Sequence, residues 1–435
     1  MTNINIILLA SLFVLSQAWG QHHHGDAPAT VGLPTTVSHE HPMGAFSCSQ
    51  MEIWDYAIGM CAPLAMKGMP MTMLMLHYNS FLAQTFEEGA RGRDGFTIPN
   101  MMMADLGTTL NDSHFVNLDV MATVERWTFP KAGYPELIQI GEENQNHEPY
   151  LDAQHPHSSP FMGITLSDTI SLESGKDHFK IWFSPLGPST DGPAAFMHRA
   201  TGMVNPDAPL GHHIGQDVGH ITSTVLGASV RLSGTTVEAS TFNGTEPEPT
   251  KVDLPLGVLN SFAARLTQEI TSHHAIMASA AYVKNPELHD SGVDHVWRYS
   301  TSIYSDRQLE NDWIIHNTFI YGLINFYDAT SALNSFNEEI WLHQGHKNIF
   351  SRIEYLQRTS NELQINSTTP NDPNWVTAIT LGYTHELARW DGSNVSLGTS
   401  ITKDFLPANY QNAYSGNPLA AKIFLQVGGM KMWNL

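Results

Sequence analysis

The sequence predicts an all-β chain, an antiparallel transmembrane β-barrel of about sixteen strands. Three observations predict it. The chain opens on an export signal, and short stretches of alternating apolar and polar residues then run to the C-terminus. The gaps between those stretches alternate between short and long, as tight periplasmic turns and long extracellular loops do in such barrels.

Taken in order, residues 4–15 form a short apolar core, and Ala18 and Gly20 are small residues ahead of Gln21. This pattern reads as a secretory signal peptide over 1–20, although no Lys or Arg precedes the core. Residues 21–70 are rich in His, Met, Pro and Gly and lack sustained periodicity. They read as an irregular periplasmic segment with one short helix near 50–58. The two cysteines, Cys48 and Cys61, fall here. In an exported chain they are expected to form a disulfide, which would add roughly 3 kcal/mol by chain-entropy reckoning. A thiolate metal site fits an oxidising compartment less well. No later stretch has the apolar length of a membrane helix.

The barrel is expected over 71–435. In 114–126, Val116, Leu118, Val120, Ala122 and Val124 alternate with Asn117, Asp119, Met121, Thr123 and Glu125. Strand side chains alternate faces, so one face can meet lipid and the other water. Residues 221–232 repeat the scheme, with Leu226 and Leu232 opposed to Ser223, Ser229 and Arg231. In 261–270, Arg265, Thr267 and Glu269 oppose Phe262, Ala264 and Leu266. In 293–304, Arg298, Ser300 and Ser302 oppose Trp297, Tyr299 and Ile303. The remaining strands are expected at 71–79, 101–108, 161–172, 178–186, 235–243, 274–284, 312–323, 332–343, 348–358, 375–387, 393–403 and 420–433. Short connections at 110–113, 173–177, 233–234 and 271–273 carry the Gly, Asn, Asp and Ser of hairpin turns. Long ones include 127–160, 187–220, 244–260, 359–374 and 404–419. An even strand count with both termini periplasmic follows; merging or splitting a hairpin gives fourteen or eighteen. Trp127, Trp182, Trp297, Trp341 and Trp433 are among the aromatics expected at the membrane interface.

From Met71 onward this pattern resembles bacterial outer-membrane porin-type barrels. The closing strand, 422–433, ends on Trp433 and is similar to their assembly signal, except that Asn434 and Leu435 follow. The resemblance implies a Gram-negative outer membrane, lipid and the barrel-assembly machinery as partners, and a third extracellular loop folded into the lumen. Trimers are common in such barrels, and oligomeric state stays open here. More loosely, the His/Met-rich lead resembles copper-resistance outer-membrane barrel proteins, without that family's repeated Asp-His-Met runs. That resemblance implies exchange with a periplasmic metal carrier.

Asp and Glu number 42 against 21 Lys and Arg, a formal net charge of −21. Nucleic acid is excluded as a partner, because it selects a basic footprint. A cation-attracting field suits this balance. Only 14% of residues are charged, as a lipid-facing exterior requires.

The chain holds 23 His and 19 Met. His22, His23, His24, His39 and His41 crowd the lead segment, a compositional cue for metal binding. Met69, Met71, Met73, Met75 and His77 follow. If the first strand starts at Met71, then Met71, Met73, Met75 and His77 share the inward face. Met101 and Met103 join them from the next strand, and Met430 and Met432 from the closing one. Thioether suits Cu(I) and imidazole suits Cu, Zn and Ni, so copper or another transition metal is the candidate ligand. The competing reading is that Met fills irregular space. The third long loop offers His198, His212, His213 and His220 with Asp191, Arg199, Asp207 and Asp217. Arg231, Arg265, Arg298 and Arg352 are expected to line the pore, opposing Glu125, Glu269 and Glu354 across it or salt-bridging within the wall.

Enzyme motifs are lacking. His155 and His157 with Asp152 are the nearest approach to a metal-hydrolase cluster, so no activity and no required cofactor are expected. The first functional reading is a channel passing ions or small hydrophilic solutes. The second is a barrel that binds copper or a similar metal and confers resistance. The third is a soluble secreted metalloprotein of β-sandwiches.

Overall fold

The computed structural model describes residues 48, 52–55, 60–65, 70–143, 148–157, 159–172, 176–247, 251–252, 254, 256–286, 293–327 and 332–435. The signal peptide and His22, His23, His24, His39, His41 and Met69 lie outside these residues.

Sixteen antiparallel strands close into one barrel. They are β1 (Thr72–Glu87), β2 (Asn100–Thr109), β3 (His114–Ala122), β4 (Phe161–Ser171), β5 (His178–Gly187), β6 (Thr222–Leu232), β7 (Thr235–Asn243) and β8 (Ser261–Thr271). The second half holds β9 (His274–Lys284), β10 (His295–Gln308), β11 (Ile314–Phe326), β12 (Leu333–Gln344), β13 (Lys347–Arg358), β14 (Asn374–Trp390), β15 (Ser393–Phe405) and β16 (Leu419–Asn434). The seam joins β16 to β1, from Ala420 opposite Glu87 to Asn434 opposite Met73. Every expected strand is present, and most run a few residues further than their hydrophobic pattern. The β-sandwich alternative therefore falls.

Period-2 alternation decides which face each residue occupies. On β8, Phe262, Leu266 and Ile270 are exposed while Ala263, Arg265 and Thr267 are buried. On β6, Leu226 and Leu232 point out while Ser229 and Arg231 point in. Leu106, Leu118, Leu166, Ile181, Ile379, Leu381, Leu397, Ile401 and Ile423 continue the exposed apolar surface around the wall. A soluble protein does not leave so broad a greasy band bare. No helix among the described residues is long and apolar enough to cross a membrane. A closed barrel with this exterior belongs in a Gram-negative outer membrane.

Three local expectations are corrected. The strand expected to reach Arg126 stops at Ala122, where Thr123 Oγ1 and Val124 N both donate to Asn100 Oδ1. Glu125 then enters a single helical turn, α1 (Glu125–Thr128). Among the described residues of the lead segment, the helix expected near 50–58 gives way to strand. Glu52–Asp55 and Met60–Pro63 pair as a β-hairpin, with Trp54 opposite Cys61. Cys48 and Cys61 are disulfide-bonded. Lastly, Trp182 and Trp341 leave the membrane interface and are buried on the inner face. Trp182 lies over Gly227 of the neighbouring strand, where any Cβ would meet its ring at 2.0 Å.

The long loops gather at one rim and are numbered L1 to L8. L2 (123–160) carries α1 and a hairpin of Tyr134–Glu143 with Pro149–Gln154. L3 spans 188–221, L7 359–373 and L8 406–418, the last holding α2 (Ala408–Tyr414).

Candidate functional site

The lumen is the site, and L3 fills its middle. Residues of L3 are almost all buried although none belongs to the wall. The loop is held by side chains that strand alternation points inward. Thr190 N donates to Ser240 Oγ on β7 at 3.0 Å, and Gly192 N donates to Ser279 Oγ on β9 at 2.9 Å. Arg199 makes a two-pronged bond to Glu339 on β12, at 3.0 and 2.8 Å. Asn79 Nδ2 on β1 donates to Met203 O at 2.8 Å, and Lys422 on β16 pairs with Asp207. Arg358 on β13 donates to Leu210 O at 2.5 Å. The loop thus reaches opposite walls and ties the seam strands to β12 and β13.

Its far turn, His212–Gln216, lies against β11. Gly215 there has φ +68°, a conformation that favours glycine. A Cβ on Gly322 of β11 would stand 1.9 Å from Ile214 O. Two glycines therefore let backbone meet backbone, and this contact aims His212 and His213 toward L2.

The expected ligands sort into two groups. Met73, Met75, Met101, Met103, Met121 and Met162 are buried together against Met197 of L3, with Met71, Met430 and Met432 packed beside them. His77 is buried on β1, opposite Met103 and Met430 on its two neighbours. The second group is histidine. His212 and His213 ring centroids are 4.5 Å apart, His212 and His220 5.6 Å. His155 and His157 of L2 join them, at 5.8 Å from His213 and 5.7 Å from His220 respectively.

Burial, reinforced by neighbouring imidazoles, holds His155 and His213 well below the ordinary histidine range. Burial lowers His220 to about 4 against the pull of Asp217, and lowers His198 to about 3. Burial works to raise Asp217, but His220, His212 and Arg199 outweigh it and keep the carboxylate ionised.

The expected pore charges pair along the wall or with L3 rather than facing one another across an open bore. Arg231 pairs with Glu269 at 3.0 Å and Arg265 with Glu238 at 2.6 Å. Arg298 holds Asp191 of L3 at 3.0 Å, and Arg352 lies 3.2 Å from Glu339. Glu354 accepts from Gly211 N at 3.4 Å. Glu125 sits in L2, with its Oε2 2.7 Å from His157 Nδ1.

At the short-turn end, a space of about 1080 Å³ open to solvent is lined by Asp105, Asp119, Lys180, Arg231, Glu238 and Arg265. Ile53, Trp54 and Asp55 of the lead hairpin border it, and Asp55 lies 3.4 Å from Lys180. At the long-loop rim, Leu137 and Ile138 of L2 pack with Leu210 and Ile214 of L3, Leu363 of L7, and Leu406, Tyr410 and Tyr414 of L8. Sequence reasoning missed this lid, the lumenal hairpin and the partners of Arg199 and Lys422. Their only signal was hydrophobic or charged residues in loops.

No family model matches the chain, and no curated protein matches it. Among solved structures it is similar to in-vitro folded OmpT of Vibrio cholerae in its trimer form, at 9% identity over 82% of this chain and 99% of that one, with a TM-score of 0.46. It is similar to an anion-selective porin from Comamonas acidovorans, at 8% identity over 82% and 99%, TM-score 0.48. It is also similar to Salmonella typhi OmpF in complex with daunomycin, at 10% identity over 82% and 97%, TM-score 0.49.

Proposed function

We propose that the protein is an outer-membrane channel for ions or small hydrophilic solutes, with a narrow bore set by L3. The observation that supports this is the loop itself, which crosses a charge-lined lumen and is fixed to its walls by buried ion pairs. Charged groups and inserted loops at a constriction are how pores select. The overall charge of −21 favours cations at the mouths.

Single-channel recording in planar bilayers tests the reading. Arg199→Gln breaks the bond to Glu339 and leaves a buried carboxylate short of a partner, a change of about 3–5 kcal/mol in related cases. The wild type should show small unitary steps, and Arg199→Gln steps several-fold larger. An insulating wild type and an insulating variant would end the channel reading. Equal steps in both would remove L3 as the constriction.

A second reading, metal handling, is supported by the buried methionine group around Met73, Met75, Met101 and Met103. So many thioethers on one inner wall suit Cu(I). Changing Met71, Met73 and Met75 to Leu keeps the packing and removes the sulfur. Unchanged Cu(I) affinity in competition with a chelator would leave these residues as packing alone.

A further inference from the structure

Two loops distant in sequence meet at three imidazoles. His155 follows the L2 hairpin, and His212 and His213 come from the L3 turn that the paired glycines seat on β11. One ring nitrogen from each lies within 4.8 Å of the other two. His155 and His212 are buried and His213 is half-buried. His155 Nδ1 and His213 Nε2 are sealed from solvent yet make no hydrogen bond. Buried polar atoms in folded proteins are nearly always bonded, so two such nitrogens in one small cluster point to a missing partner.

The chemistry of that partner follows from the donors. Neutral imidazole is the form that ligates metal. Three nitrogens without a thiolate suit borderline ions, while Mg and Ca select oxygen. Bonds of about 2.0–2.1 Å put tetrahedral nitrogens about 3.3 Å apart, which ring rotation at these side chains can reach. Asp217 stands 3.5 Å from both His212 Nδ1 and His220 Nδ1. A carboxylate beside an imidazole is the usual device that orients a metal-bound histidine.

We propose that His155, His212 and His213 bind one divalent transition-metal ion of the zinc, nickel or copper(II) class, and that the ion clamps L2 onto L3. Three protein ligands leave a fourth position for water or for a neighbouring side chain such as His157 or His220. Because L3 crosses the lumen, the bound ion would hold the passage in its narrow state. Binding is measurable in detergent on a barrel that conducts nothing, so this proposal and the channel reading can fail separately.

The test uses the full-length mature chain, folded in detergent, with His22, His23, His24, His39 and His41 changed to Ala to silence the His-rich lead. Zn(II) is titrated by calorimetry and Co(II) by its visible absorption. One ion per chain is expected, with the intense absorption of four-coordinate cobalt. Adding His155→Gln and His213→Gln should weaken binding at least ~100-fold. Heat-dependent gel migration reports whether each barrel is folded. Absence of an ion from the background protein, or unchanged affinity in the double variant, would overturn the proposal. If the double variant does not fold, X-ray absorption at the zinc edge of the background protein decides. Three imidazole nitrogens at about 2.0–2.1 Å are expected, and fewer than three imidazoles on the bound ion would overturn the site.

Discussion

At the long-loop rim, four loops bury Ile138, Leu210, Leu363, Tyr410 and Tyr414 in one apolar cluster, whereas the short-turn end holds a charge-lined space and a disulfide-crosslinked hairpin. The rim is closed by burial, which is cooperative and costly to open. The opposite end stays open to solvent beside an internally crosslinked hairpin that reaches the wall through contacts such as Asp55 with Lys180. The difference implies that access from the periplasm is the easier of the two, and that the rim must yield for anything to cross.

The largest expected effect is at the rim. Tyr414 is fully buried, and its Oη donates to Asp152 Oδ1 at 2.8 Å. Tyr414→Ala removes ring and bond together, a loss of about 3–5 kcal/mol for a large buried aromatic. Proteolysis within L2 should accelerate strongly while the strands stay protected. Unchanged L2 protection would mean that the rim is not held by this cluster. Next in size is the lead segment's crosslink. Changing Cys48 and Cys61 to Ser frees the lead hairpin of a constraint worth up to roughly 3 kcal/mol in chain entropy. Trp54 fluorescence should shift toward that of a solvated ring, with hydrogen exchange at the rim unaltered. A coupled change at the rim would show that the two ends are one unit.

The smallest and most graded effect is acid. In an undocked L3 the histidines would titrate near the ordinary value of about 6.5. Docked, His198 and His220 are held near 3 and 4, and His155 and His213 well below their usual range. The undocked state therefore binds more protons below pH 6.5. Docking is at full strength above that pH and weakens as pH falls from 6.5 toward 4. Protection factors across 196–216, corrected for the intrinsic exchange rate at each pH, should fall between pH 7 and 5. Constant protection over that interval would contradict histidine control of the loop.

The wall was legible in the sequence because alternation is a local property: Arg265 and Leu266 are sorted to opposite faces by position alone. Strand ends were less so. β14 runs to Trp390 because pairing with β15 continues after the apolar alternation stops. The methionine face was readable from period 2, since Met73 and Met75 alternate to the inner face of β1 and Met101 and Met103 to that of the adjacent β2. The histidine cluster was only half readable. His212 and His213 stood out as neighbours, but nothing local joins them to His155. That meeting depends on Gly322 admitting the L3 turn and on Arg93 gripping Asp152 O of L2 at 2.7 Å. The lead hairpin was hidden because its four-residue strands are stabilised by a crosslink and by distant wall residues, not by their own periodicity.

The seam carries a consequence for how the molecule is made. Gln426 reaches Asn79 Oδ1 and Met203 O across the junction of β16 and β1, and Lys422 holds Asp207 from the same strand. The final zipping of the cylinder and the capture of its inner loop are thus a single event between residues at opposite ends of the polypeptide. Contacts of such long sequence separation form slowly. A nascent chain must therefore keep its plug segment inside an unfinished sheet until the last strand arrives, and lesions at Asn79 or Lys422 should be felt first in yield and maturation time.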